Sequence, residues 1–162
     1  MGLMFAVMAI LSLLESVFTP ILPLGVRLGL SNIVIMLAML VFGAPSGLLL
    51  VIMKAAFVLL TRGVTAGIMS VSGGIPAYLA MLLLLKRSEA SAILVSVCGA
   101  AMHSLGQLAA SALLIGSLST FSYAPFMLTI SVISGILTGT AVRILLPVLK
   151  SRIGTHGDGA AG

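Results

Sequence analysis

Charge is what this sequence has least of. Only 7% of its 162 residues are Asp, Glu, Lys or Arg, whereas 60% are hydrophobic and the mean hydropathy is +1.34. A chain so poor in polar side chains cannot cover a water-facing surface, which excludes a soluble globular fold. The three acidic residues, Glu15, Glu89 and Asp158, stand far apart, so no pair of carboxylates is expected to hold Mg²⁺ against a diphosphate. No Gly-rich phosphate loop runs into Lys-Ser/Thr, and ATP hydrolysis by this chain alone is not expected. Cys98 is the single cysteine and lies in an apolar stretch. It gives no disulfide framework and no Cys/His metal spacing, and it reads as a small buried hydrophobe. With two Tyr and no Trp there is no clear stacking platform. The eight Lys and Arg leave a formal charge of +5 but are scattered, which speaks against nucleic acid as a partner. The chain is therefore expected to be no enzyme and to carry no metal or cofactor.

What the sequence has in quantity is long apolar runs. A spanning helix needs about 20 mostly apolar residues, so this length allows six spans with about 40 residues left for turns. An outer-membrane barrel would show alternating segments of about ten residues instead, and these are absent. The runs are Leu3 to Phe18, Leu28 to Phe42, Ser46 to Leu60, Ala66 to Leu85, Ala90 to Ile115 and Tyr123 to Leu149. Thr19-Pro20, Pro23-Leu24-Gly25 and Gly43-Ala44-Pro45 punctuate the first two connections. The expected fold is all-α, a six-helix transmembrane domain over residues 1–150 followed by a short disordered cytoplasmic tail over 151–162. The first run has no positive region and no small-residue cleavage site, so it is expected to remain as a span. Lys86, Arg87, Lys150 and Arg152 fall on the side of both termini, and Arg27 and Arg62 on the other. By the positive-inside rule both termini face the cytoplasm, and the lipid bilayer of the cytoplasmic membrane is the first partner.

An ionisable group inside a span costs roughly 2.5 to 3.5 kcal/mol on insertion scales, so each needs a partner, a watery cavity or an interface. Glu15 lies near the outer end of the first span, Arg27 and Asn32 flank the start of the second, and Lys54 sits near mid-depth in the third with Arg62 at its outer end. His103 and Gln107, four residues apart in the fifth, share one helical face. All fall in the outer half or near the midplane. One reading is an outward-opening substrate pocket in which Glu15 faces Arg27, Lys54 and Arg62, with an excess of positive charge that favours an anionic or phosphate-bearing ligand. The other is that Arg27 and Arg62 snorkel to headgroups while Glu15 neutralises Lys54 as a structural pair.

Small residues recur at helical spacing as well. Gly99, His103 and Gln107 with Gly106 fit either a binding face or a close helix crossing, and Gly73-Gly74 before Pro76 marks a kink or close packing. Ser131, Gly135, Gly139 and Arg143 form a stripe suited to helix packing, within the chain or against a membrane partner. Gly2 and Ala6, then Ser12 and Ser16, repeat the spacing in the first run.

The stretch from Pro23 to Val34, PLGVRLGLSNIV, preceded by Leu13-Leu14-Glu15-Ser16 and followed by Phe42-Gly43-Ala44-Pro45-Ser46-Gly47, resembles the Gx transporter family. His103-Ser104-Leu105-Gly106-Gln107 resembles that family's His-Asn-Leu-Gly-Gln segment, with Ser104 in the place of Asn. The resemblance runs from about Leu11 to Leu149. Members often carry the description heptaprenyl diphosphate synthase component I, and their architecture is similar to the S components of energy-coupling-factor transporters, six-helix vitamin binders. The resemblance implies a substrate site lined by Arg27, Leu30, Ser31 and Asn32 with His103 and Gln107 nearby. It also implies a small-molecule substrate and, as partners, a membrane coupling protein and ATPase subunits.

Overall fold

In a solvent without water, every backbone N–H and C=O must find its partner within the segment or a closed sheet, and the apolar runs accordingly fold as helices. The computed structural model describes residues 2–18, 29–87 and 90–157. Six α-helices follow in order: α1 Gly2–Phe18, α2 Leu30–Phe42, α3 Ala44–Arg62, α4 Val64–Leu85, α5 Ala92–Ile115 and α6 Ala124–Gly157, with a short 3₁₀ helix Leu118–Tyr123 before the last. Among the described residues there is no strand. Helices α3 to α6 are long and apolar enough to cross a membrane. Helix α1, with 17 residues, and α2, with 13, are shorter and extend over about 25 and 20 Å at 1.5 Å per residue.

The six runs read from hydropathy coincide with these helices, and the connections between α2, α3 and α4 are tighter than the punctuation implied. Gly43 alone joins α2 to α3 and Gly63 alone joins α3 to α4, at φ 90° and 86°, where a side chain would strain the backbone. At the other end, α6 runs on to Gly157. The first turns of the stretch expected to be a disordered tail are therefore helical, because extending a formed helix adds one hydrogen bond per residue without a new nucleus.

Helix α2 occupies the middle. It packs against α1, α3, α5 and α6, and six successive residues, Val34 to Met39, are buried, the mark of a helix enclosed on all sides. Helices α3, α4, α5 and α6 pack each against the next, α4 through α3 and α5, and α1 lies against α2 and α3. The apolar core gathers Met8, Ile35, Met36, Leu50, Met81, Val95 and Val142. Outside, the bundle is apolar again: Leu3, Leu60, Leu113 and Leu137 are 80%, 84%, 84% and 65% exposed. An apolar surface that extensive belongs in lipid, and the protein is a multi-pass membrane protein.

Small residues set the seams. A Cβ at Gly106 would stand 1.9 Å from the Ser72 carbonyl oxygen, and one at Gly135 would stand 2.5 Å from Val97 Cα. Helices α4, α5 and α6 thus approach backbone to backbone. Ser131, Gly135 and Gly139 all face α5, so that stripe packs within the chain, whereas Arg143 is exposed. Gly2 and Ala6 are exposed, and a Cβ on Gly2 would meet nothing within 4 Å. Gly73 and Gly74 serve close packing against α5 and α3.

Candidate functional site

The polar side chains of α1, α2 and α3 converge where α1 and α3 end and α2 begins. On α1, Ser12 and Glu15 lie about one turn apart and both are buried. Glu15 Oε1 accepts the backbone N–H of Gly29, the residue that precedes α2 in a left-handed conformation at φ 66°. The carboxylate thereby meets the positive end of the α2 dipole. Arg62, in the last turn of α3, donates through Nη2 to the carbonyl oxygen of Ser12 and reaches its hydroxyl at 3.4 Å. Helix α1 is thus tied to the start of α2 and to the end of α3.

Lys54 is 6% exposed and stands eight residues before the end of α3, a depth of about 12 Å. Its surroundings follow from register. Two turns nearer the start of α3, Gly47 is filled by Met39, whose Cγ would be 2.2 Å from a Cβ there, and Ser46 Oγ donates to the Ala38 carbonyl at 2.8 Å. Asn32 lies seven residues before Met39, and Lys54 seven after Gly47. Each therefore returns to the face its counterpart uses, and Lys54 comes level with Ser31 and Asn32. On the other side, Gly74 packs against Val51 and Gly67 against Leu59, which brings Ser70 of α4 to the same level. Ser31 Oγ, Asn32 Oδ1 and Nδ2, and Ser70 Oγ are buried there without a hydrogen-bond partner among the described residues.

His103 and Gln107 are buried on α5 and bonded to each other, Nε2 to Nε2 at 3.0 Å. Gly73 of α4 makes room for them, since a Cβ on it would stand 2.8 Å from the His103 ring and 2.9 Å from Gln107 Cγ. Ser104 is directed into the α5–α6 seam, where its hydroxyl meets that of Ser131 at 2.5 Å.

Of the residues singled out in the sequence, Glu15, Ser31, Asn32, Lys54 and Arg62 come together at one corner of the bundle, and His103 and Gln107 line the neighbouring α4–α5 seam. Arg27, and any pairing of it with Glu15, lies outside the described residues. Sequence reasoning missed Ser70 and, as a partner for Arg62, Ser12. A serine is nearly neutral in hydropathy and leaves no mark on an apolar run. The available signal was spacing, because Ser70 falls between Gly67 and Gly73-Gly74, where small residues let helices close in on a polar atom.

A buried ammonium, a side-chain amide and hydroxyls equip this corner to hold a polar ligand by hydrogen bonding. Grooves of about 420 Å³ beside Gly116 and Phe121 and about 440 Å³ between Ile52 and Ile68 are apolar, and neither includes these residues. Comparison of the sequence with known proteins finds no match among curated proteins and none among solved structures. The model of one family, described as heptaprenyl diphosphate synthase component I, matches residues 4–145, and the chain belongs to that family.

Proposed function

We propose that the protein is the substrate-binding membrane subunit of a transport system, similar in architecture to the S components of energy-coupling-factor transporters. It captures a small anionic or aromatic molecule from the outer side of the cytoplasmic membrane. It catalyses no reaction itself and depends on a membrane coupling protein and ATPase subunits for energy. Both termini lie in the cytoplasm, on the side of Lys86, Arg87, Lys150 and Arg152. The main support is the buried Lys54 at the level of the unpartnered Ser31, Asn32 and Ser70. A bilayer protein carries orphaned polar atoms such as those of Ser31, Asn32 and Ser70 where a ligand completes them. In operation the ligand enters from the end where α1 meets α2, an acceptor on it meets Lys54, and His103 and Gln107 border the site on the α5 side.

The test is native mass spectrometry of gently purified protein, together with uptake by cells. A small molecule should co-purify, and Lys54→Met or His103→Ala should lower its uptake at least tenfold. A chain that retains nothing, and whose variants leave uptake unchanged, sinks the proposal.

The family description favours a second reading, a non-catalytic membrane component that assists prenyl-diphosphate or quinone synthesis. It predicts that a prenyl synthase is pulled down with this chain and loses activity without it. Normal quinone levels in a deletion strain count against it.

A further inference from the structure

We infer that the corner at the start of α2 selects a ligand that presents a hydrogen-bond donor beside an acceptor, the edge of a primary amide or a cyclic imide, with Lys54 meeting a further acceptor atom of the same ligand. This deepens the substrate-binding reading and rests on it.

Every buried polar atom at this corner calls for a hydrogen-bond partner. Asn32 is 8% exposed, and among the described residues neither its Oδ1 nor its Nδ2 has a hydrogen-bond partner. A side-chain amide offers an NH₂ donor and a carbonyl acceptor side by side, so whichever way it is turned its complement is an acceptor beside a donor. A bare phosphate or carboxylate brings acceptors only. It suits Lys54 and the Asn32 NH₂ but sets an oxygen against the Asn32 carbonyl. An amide or imide edge answers both ends of Asn32, and the hydroxyls of Ser31 and Ser70, which rotate to donate or accept, meet the remaining ring or carbonyl atoms.

The position gives Asn32 its direction. It shares the α3-facing side of α2 with Met39, and its Nδ2 would lie 3.3 Å from a Cβ on Gly29. The amide therefore sits beside the helix start that Glu15 already occupies through the Gly29 N–H. With that N–H taken, a ligand at this corner meets side-chain groups of both polarities. A site specialised for anions would leave the helix start open. Elsewhere in the same bundle Ser96, Ser104, Ser131 and Thr138 all find partners, so this fold supplies partners to buried hydroxyls where packing alone is at stake.

The experiment uses the full chain purified in mild detergent. Native mass spectrometry identifies the retained molecule, and thermal unfolding is followed for the parent, Asn32→Leu and Asn32→Asp. The retained molecule should contain an amide or imide group. Both variants should retain it at least tenfold less, and Asn32→Leu, freed of an unsatisfied amide, should unfold at the same or a higher temperature when unliganded. With nicotinamide and nicotinate as added probes at millimolar concentration, the amide should raise the unfolding temperature more than the carboxylate. Equal or greater stabilisation by nicotinate overturns the inference. So does a lower unfolding temperature for Asn32→Leu with retention unchanged, which makes Asn32 a structural residue holding water. A retained molecule without an amide or imide edge overturns this inference and leaves the transport reading standing, whereas a parent chain that retains nothing sinks both.

Discussion

The α5–α6 seam and the corner at the start of α2 are both built from small polar residues set in apolar surroundings, but they treat those residues differently. Along the seam, Ser96 meets Thr138 at 2.6 Å and Ser104 meets Ser131 at 2.5 Å, and Ser131 and Thr138 also donate to the carbonyls of Met127 and Ser134. At the corner, Ser31, Asn32 and Ser70 are just as buried, and their side-chain polar atoms find no partner among the described residues. A satisfied polar pair in lipid holds two helices together, whereas an unsatisfied buried group costs about 1–3 kcal/mol. The same residue types are thus fasteners in one place and, in the function proposed above, a receptor in the other. Hydrogen bonding distinguishes the two where burial does not.

The largest way to break this comparison is to separate the helices that carry it. Gly106→Ala places a methyl 1.9 Å from the Ser72 carbonyl oxygen, forcing α4 and α5 apart at a cost of about 3 kcal/mol. Thermal unfolding in detergent should show it, with ligand retention lost as well. A parent-like unfolding temperature would mean that the two helices do not cross so closely. Next, Ser104→Ala removes one fastener and should cost about 0.6 to 1.5 kcal/mol while leaving ligand retention intact. Weakened retention would make the seam part of the site. Ser70→Ala sharpens the contrast from the other side. Stability should hold or rise by up to about 1 kcal/mol, because an orphaned hydroxyl is removed, and ligand retention should fall. A loss of stability matching that of Ser104→Ala would erase the difference between the two regions. The smallest effect belongs to Gly2→Ala, where a Cβ meets nothing within 4 Å. Its unfolding free energy should stay within about 0.5 kcal/mol of the parent.

Hydropathy made the helices legible because a spanning run must be long, apolar and continuous; five of the six runs end within a few residues of their helices, and the sixth stops eight residues short of the end of α6. Connection length was less legible. Gly43-Ala44-Pro45 reads as a turn of several residues, yet Pro45 fits inside the first turn of α3, where its missing N–H costs nothing. The site was legible through its expensive residues, since Lys54 and His103 at mid-helix need an explanation wherever they occur. Some hydrogen bonds were not legible, among them those of Glu15 to the Gly29 backbone amide and of Arg62 to the Ser12 carbonyl. Backbone groups carry no signature in a sequence. The stripe of Ser131, Gly135 and Gly139 reads equally as an internal or an external contact, and only the position of α5 decides.

The single-residue joints at Gly43 and Gly63 have a mechanical consequence. From Leu30 to Leu85 the chain is a folded ribbon of three helices with no free loop, so α3 cannot shift along its axis without drawing α2 and α4 with it. Lys54 stands ten residues from the start of α3, about 15 Å along the axis. At that start, the Ala44 carbonyl accepts the Tyr78 hydroxyl at 3.1 Å. A displacement of α3 at Lys54 is thus carried along one unbroken helix to the end where Ala44 meets Tyr78, and the short joints carry it into α2 and α4 as well.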